Sequence, residues 1–349
     1  MFTGQLYFIA EGLLWRDSAA AVPSGNTASS KRDRIIKNRA PWYRFRKKRQ
    51  LMTSPVQASP KRVDSIGLLL LSVTSIGWGL NWPAMKFLLT EWPPLTARGV
   101  TGVIGGLLLA LLALAKGQSL AVPREQWPRL AGLSFLNVTM WMALMGLALL
   151  WLPASEAAVM AYTMPVWASV LAWLILGERL SLQRVLAMLL AFAGIVALMG
   201  GSGVSGSMAK LPGIIMVLVG AFAFALGTVL AKRYPINLPL MTISAWQIGL
   251  GCLPVAIAGL FCENASLGSL STAGWGVMIY MTLIQFCIAY VCWFAALQRL
   301  PASVAAIGTM AVPVIGVVAS AVVLKEPLGL VQIAALVCTL GGVALATRS

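Results

Sequence analysis

One stretch of this chain is written twice, and the two copies lie 148 residues apart. Residues 153–200 and 301–348 align without a gap and share 14 of 48 positions. Each copy opens with Pro-Ala-Ser and carries a Pro-Val in mid-segment, at Pro165 and Pro313. Each copy also contains two apolar segments long enough to cross a bilayer. Such a duplicated membrane unit is a common basis for carriers with two alternating gates.

The composition places the chain in a membrane. Hydrophobic residues make up 59% of its 349 residues and charged residues only 10%, a balance that a soluble domain of this size hardly tolerates. Ten apolar runs are each long enough to span about 30 Å of hydrocarbon as a helix. They lie at about 66–89, 95–115, 129–150, 154–177, 182–200, 211–231, 238–261, 273–297, 302–324 and 329–347. The sequence therefore predicts an all-α polytopic membrane protein with ten transmembrane helices.

The position of the repeat within these ten helices predicts two inverted halves. Helices 4 and 5 match helices 9 and 10, so the repeated unit has five helices, at residues 63–200 and 211–349. Two copies of an odd unit must enter the membrane from opposite sides. The loops on the side of the N-terminus, with the C-terminal tail, hold nine Lys/Arg against four on the other side. This bias predicts cytoplasmic termini.

The segment ahead of the first apolar run is strongly basic. Residues 1–62 hold 13 Lys/Arg and 3 acidic residues, and Trp42, Tyr43 and Phe45 lie among the basic ones. No fold motif favours nucleic acid as the partner. Two interpretations stay open: a disordered cytoplasmic segment that binds anionic lipid, and a non-native leader with Met52 as the working start. The intact mass of the native protein distinguishes them, since a chain that begins at Met1 or Phe2 excludes the second.

Enzyme chemistry is not indicated. The chain has no histidine, its five cysteines form no C-x-x-C pair, and no phosphate-binding loop motif is present. These features predict no metal, no cofactor and no catalytic residue. The duplicated membrane unit predicts instead a carrier with alternating gates. The alternative is a non-transporting scaffold or sensor that acts through the basic segment, and the oligomeric state is left open.

Polar groups inside apolar spans are costly, so each of them is a functional candidate. Glu156 is the one acid well inside the repeated unit without a counterpart, since Val304 occupies the matching position. It is predicted to bind a substrate amine or a proton, or else to be a structural charge, either at the helix start or in an ion pair with Arg98 or Lys86. Arg98 and Lys86 are alternatively anchors for an anionic group. The duplicated Glu178 and Glu326 are interpreted as structural because they recur at helix ends.

Amides, prolines and aromatic residues complete the set. Asn137 and Gln285 occupy matching positions, where they contact substrate or join helices, and Gln247 is the counterpart of Arg98. Prolines inside spans free backbone carbonyls and predict kinks used in gating or in packing. Several aromatic residues, Trp167 and Tyr290 among them, are candidate cavity walls. The candidate substrate-binding or gating residues are Trp78, Asn81, Trp82, Lys86, Arg98, Asn137, Trp141, Glu156, Tyr162, Pro165, Gln247, Gln285, Trp293 and Pro313.

Several of these residues carry a family resemblance. The pattern Trp-Gly-x-Asn-Trp from Trp78 to Trp82, the early Arg98 of the second helix and the twin proline units are similar to the EamA branch of the drug/metabolite transporter superfamily. The resemblance covers residues 63–349 and leaves out the basic segment. It implies a ten-helix carrier of a bacterial inner membrane that exports or exchanges small metabolites or drugs without ATP hydrolysis. On this basis we predict a secondary carrier for small amphipathic solutes, an exporter of amino acids or related metabolites. The second copy departs in having Lys325-Glu326-Pro327 where the first has Gly177-Glu178-Arg179.

Overall fold

The computed structural model describes residues 64–177, 182–200, 203–300, 304 and 308–347, and this part of the chain contains helices and no strand. The basic segment 1–62, the proposed start at Met52 and Glu178 lie outside the described residues. The helices are α1 Ser65–Leu88, α2 Pro94–Ala115, α3 Arg124–Ala148, α4 Ala154–Leu176, α5 Leu182–Gly200, α6 Gly203–Arg233, α7 Leu240–Cys262, α8 Thr272–Arg299, α9 Ala311–Val323 and α10 Leu330–Thr347.

Each of the ten predicted spans falls on one of these helices. Within the described residues, seven helices are long and apolar enough to cross a membrane: α1 to α4, α6 over Met208–Arg233, α7 and α8. Ala311–Val323 and Leu330–Gly342 form two shorter apolar helices. The prediction of an all-helical membrane protein built from two inverted five-helix repeats is confirmed.

The polar contacts at the helix ends show the two opposite faces of the helix bundle. On the near face, where α1 begins, Arg299 at the end of α8 donates to Asp64 at 3.2 Å. This guanidinium, with the backbone N–H of Ile66, holds the pKa of the Asp64 carboxyl below its usual value. On the far face, where α1 ends, Lys86 donates to the carbonyl of Leu152 just before α4, at 3.0 Å.

The start of α6 lies on the far face, and the start of α1 lies on the near face. Lys210, in the first part of α6, donates to the Glu156 carboxylate in the first turn of α4, at 2.8 and 3.0 Å. The first helices of the two units therefore begin on opposite faces. This is the inversion that an odd number of helices per unit requires.

The seam between α2 and α7, the second helices of the two units, depends on glycine. A Cβ added to Gly99 would lie 2.2 Å from the backbone nitrogen of Ala256, and one on Gly102 would lie 2.1 Å from Cys252 Sγ. Gly106 likewise faces the backbone of Gly249. The glycines of α2 therefore form a small face for close helix contact, since only hydrogen atoms fit at these points.

We expect Gly99→Ala to destabilise the fold, because the added methyl group meets backbone atoms that cannot rotate away. Overpacking of this kind costs about 1–3 kcal/mol. The apparent melting temperature of the detergent-solubilised protein should fall by at least about 2 °C.

The control is Gly132→Ala in α3, where an added Cβ has no heavy atom within 4 Å. There the change should be neutral or stabilising, since alanine favours a helix over glycine by about 1 kcal/mol. Equal melting temperatures for the two variants would contradict the proposed seam.

Candidate functional site

Three helices are interrupted at the same level of the bundle. The first segment of α1 ends at Gly79, and its second segment, Asn81–Leu88, begins after Leu80. The fourth helix is divided into Ala154–Ala161 and Met164–Leu176. In the ninth, Ala311–Val323 begins after a turn at Met310.

Three prolines that fall within the predicted spans lie at the beginning of the second segments. Pro83, Pro165 and Pro313 each lie in the first turn after a break. In a first turn the backbone N–H has no helical partner, so a proline there costs no hydrogen bond. At the break in α4, the N–H of Tyr162 bonds the carbonyl three residues earlier instead of four, at 3.2 Å. The prolines therefore mark breaks in these helices rather than bends in continuous ones.

A cavity of about 600 Å³, including its space open to solvent, lies beside these breaks. It is lined by both halves of the molecule: by α1 to α4 of the first and by α8 and α9 of the second. Its lining residues are Trp78, Asn81, Trp82, Arg98, Trp141, Met142, Tyr162, Met164, Gln285, Tyr290 and Val312. Its mostly aromatic and apolar lining, with a few polar side chains, is typical of a site for a small organic ligand.

The aromatic wall is held in place by contacts between the halves. The Trp78 ring meets the Tyr290 ring edge-on, with centroids 5.4 Å apart. Its indole N–H donates to the backbone carbonyl of Gln285 at 3.3 Å. Trp293 packs on the same indole at 5.9 Å but does not line the cavity. The wall is therefore fixed by one residue of α1 and three of α8.

Arg98 is the charged residue of the cavity. Its side chain is 2% exposed, and its Nε and Nη1 atoms have no hydrogen-bond partner among the described residues. Arg98 is close to Cys252 of α7 and to Gly146 of α3, neither of which provides a carboxylate. A buried guanidinium without an acceptor is costly by several kcal/mol, and an anionic ligand offsets that cost.

Two amides in the cavity also lack partners. Asn81 Oδ1 and Gln285 Oε1 are buried and accept no hydrogen bond from the described residues. Buried acceptors are nearly always satisfied by protein, water or ligand. The cavity thus offers two free acceptors and one free cationic donor within an aromatic enclosure.

Gln285 and its repeat counterpart Asn137 share a backbone irregularity but not a position relative to the cavity. Each lies in a π-helical segment, Phe135–Thr139 in α3 and Tyr280–Ile288 in α8. Only Gln285 lines the cavity, while Asn137 lies against Gly227 of α6, where a Cβ would come within 2.0 Å of its Oδ1. Widened helical turns of this kind occur frequently at functional sites.

The predicted ion pair of Glu156 with Arg98 or Lys86 is wrong. Glu156 is bound by Lys210 from the start of α6, and Lys86 donates to the backbone carbonyls of Leu149 and Leu152 at the end of α3. Neither Glu156 nor Lys86 lines the cavity. Glu156 lies on the far face in the first turn of α4, and the rest of the segment Ala154–Ala161 separates it from the break.

Seven of the fourteen candidates line the cavity and seven do not. Those outside it are Lys86, Asn137, Glu156, Pro165, Gln247, Trp293 and Pro313. Trp167 also lies outside, packed on Phe192 and Phe222.

Three lining residues, Met142, Met164 and Val312, were missed because apolar side chains in an apolar span carry no signal of their own. The repeat offset of 148 residues does relate Met142 to Tyr290 and Met164 to Val312.

Comparison with known proteins agrees with this architecture. The sequence profile of the EamA-like transporter family matches twice, over residues 65–200 and 211–348. The uncharacterized transporter YvbV of Bacillus subtilis is 31% identical over 277 residues, which are 79% of this chain and 90% of YvbV. A probable amino-acid metabolite efflux pump of Salmonella typhimurium is 26% identical and aligns over 79% of this chain and 92% of its own.

A solved crystal structure shares the fold, with a TM-score of 0.57 at 22% identity, over 80% of this chain and 96% of the other. The two profile matches together cover most of the described helices, one match for each five-helix unit. The chain belongs to the EamA-like transporter family.

Proposed function

We propose that this protein is a secondary carrier that exports amino acids or closely related amphipathic metabolites by alternating access. The observation that carries the proposal is Arg98, a buried guanidinium with unpaired Nε and Nη1 atoms in a cavity shared by both halves. Its planar fork matches a carboxylate, which accepts two parallel hydrogen bonds from it. A substrate that carries a carboxylate therefore satisfies the costliest group in the site.

The rest of the cavity supports an amine and an apolar body on the same substrate. The free carbonyl oxygens of Asn81 and Gln285 accept hydrogen bonds from an ammonium group. The tryptophan and tyrosine rings enclose an apolar or aromatic side chain, and they add cation–π attraction for the ammonium. The names of the Salmonella typhimurium and Escherichia coli relatives, probable amino-acid metabolite efflux pumps, support the same substrate class.

The membrane setting belongs to the proposal as well. The charge bias of the loops favours cytoplasmic N- and C-termini in a bacterial inner membrane, so the near face is the cytoplasmic one. The basic segment 1–62 then lies on the side where anionic lipid is available to it. Export corresponds to loading the cavity from the near face and unloading it through the far face.

We expect Arg98→Gln to reduce carrier activity at least about tenfold while leaving the fold intact or more stable. The substitution removes the guanidinium that binds the carboxylate of the substrate. It also removes an unpaired buried charge, and this favours the folded state. The measurements are efflux of labelled phenylalanine from proteoliposomes and the apparent melting temperature in detergent.

The matched control is Arg124→Gln at the exposed start of α3, which should change neither quantity. A structural role for Arg98 would lower both activity and melting temperature. That joint loss, or full activity of Arg98→Gln, would contradict the assignment.

A second prediction concerns the amine. Leucine has a volume similar to that of glutamine but no hydrogen-bond acceptor. In Gln285→Leu we therefore expect the affinity for phenylalanine to fall relative to that for 3-phenylpropionate, which has no amine. The ratio of their binding constants should shift by about tenfold toward 3-phenylpropionate, as for the loss of a hydrogen bond to a charged group.

Gln247→Leu is the control, because Gln247 is a buried amide of α7 that lies outside the cavity. Competition binding to the purified carrier gives both constants without a transport assay. An unchanged ratio of binding constants in Gln285→Leu would contradict the contact between the Gln285 amide and the substrate amine.

A further inference from the structure

Three half-helices extend from the cavity to the far face and pack on one another. They are Asn81–Leu88 of α1, Ala154–Ala161 of α4 and Ala311–Val323 of α9, here called the far bundle. Each begins or ends at a break that borders the cavity. Trp82, Ala158 and Val317 share one hydrophobic cluster. The far bundle therefore lies between the cavity and the far face.

The surfaces inside the far bundle are small and apolar. A Cβ on Gly316 of α9 would lie 3.1 Å from the Trp82 ring and 3.4 Å from Ala158 Cβ, so α9 approaches both partners closely. The facing side of α4 presents Ala154, Ala157 and Ala158, all fully buried. Short apolar side chains do not interlock and form no hydrogen bond, so these surfaces can separate without breaking a specific interaction. A specific interaction that holds the far bundle closed must come from elsewhere.

Glu326 supplies such an interaction at the far end. Its carboxylate accepts from the backbone N–H groups of Ala154 and Ser155 at 2.7 and 2.9 Å, and from the Ser155 hydroxyl at 2.5 Å. The first N–H groups of a helix have no partner within the helix, and its positive end attracts an anion. Glu326 follows α9 of the second half, and Ser155 lies in α4 of the first. The contact thus joins the two halves across the far bundle.

The backbone before Glu326 is held in an uncommon conformation. Lys325 has φ of +56°, the left-handed region that non-glycine residues rarely adopt. Its repeat counterpart is Gly177, which has φ of +71° without a steric cost. Such strained positions persist where surrounding contacts hold them, and they concentrate at switches and clamps. Two kinds of contact hold this turn: the N–H groups of Leu324 and Glu326 bond the Ser320 carbonyl, and the Glu326 carboxylate bonds the start of α4.

We propose that Glu326 is the latch of a far-face gate, and that the carrier opens its cavity to the far face by releasing the start of α4 from this carboxylate. The far bundle then divides between α4 and α9, with the breaks beside the cavity as hinges. This inference rests on the carrier function proposed above. It adds to that function the place where the far side opens.

The same chemistry recurs elsewhere on the far face and provides a matched control. Glu91 accepts from the backbone N–H and the hydroxyl of Ser271, ahead of α8, at 2.9 and 2.6 Å. This contact also joins the two halves, but α8 is outside the far bundle. Glu91→Gln therefore loosens a helix start of the same kind without touching the proposed latch.

The test measures access to the cavity from the far face in the absence of substrate. Val312→Cys places a thiol on the cavity wall of a chain whose five native cysteines are replaced by alanine. A membrane-impermeant maleimide is added to right-side-out and inverted vesicles. Labelling of the exposed Cys262 at the far end of α7, in the chain with native cysteines, identifies which vesicles present the far face.

We expect Glu326→Gln to raise the labelling rate from the far face about tenfold, since the neutral amide forfeits charge-assisted hydrogen bonds. Glu91→Gln should label at the parent rate. If Glu326→Gln does not insert into the membrane, Ser155→Ala replaces it in the test. This variant removes one of the three donors to Glu326, so the labelling rate from the far face should rise by a smaller factor. An unchanged rate in the inserted variant, or an equal rise in Glu91→Gln, would overturn the proposal.

Because no substrate is present, this outcome is independent of the substrate assignment. Faster labelling in Glu326→Gln together with an inactive wild-type carrier would leave the latch standing and contradict the proposed function alone.

Discussion

Hydrocarbon offers no hydrogen bonds, and the rest of this structure follows from that constraint. A chain that crosses it must satisfy its own backbone N–H and C=O groups, which a helix does and an interrupted helix does not. Interruptions are tolerated only where protein or a polar cavity surrounds them. In this protein the breaks near Leu80, Thr163 and Met310 all border the same cavity. The breaks therefore lie where they do because the cavity is there to surround their backbone groups.

The sequence was sufficient for the helices and for their inversion, because both depend on patterns that repeat along the chain. The ten apolar runs and the 148-residue offset predicted the architecture, and the candidates Trp78, Arg98 and Gln285 line the cavity. The sequence was insufficient wherever a choice depended on helix rotation. The offset treats Asn137 and Gln285 alike, yet only Gln285 faces the cavity. The partner of Glu156 was misassigned because Lys210 is 54 residues away and meets it only through packing.

The repeat provides a shared frame that the two halves fill differently. Trp78 and Asn81 of α1 line the cavity, while none of the described residues of α6, the first helix of the other half, does. Gly227 instead leaves room for Asn137. The polar groups for a ligand thus come from α1 and α2 of one half and from α8 of the other. A ligand held between Arg98 and Gln285 contacts both halves at once, which is the arrangement that lets it bias their relative position.

The energies of the site and of the proposed latch must be comparable for such a carrier to turn over. A ligand shifts a two-state equilibrium only by the difference between its affinities for the two states. Hydrogen bonds to a charged acceptor such as Glu326 contribute about 1.5–3 kcal/mol. Satisfying the unpaired Arg98 guanidinium is worth a similar amount, since the same class of bond is formed. A substrate that pairs with Arg98 better in the open state than in the closed one can therefore offset the release of the latch.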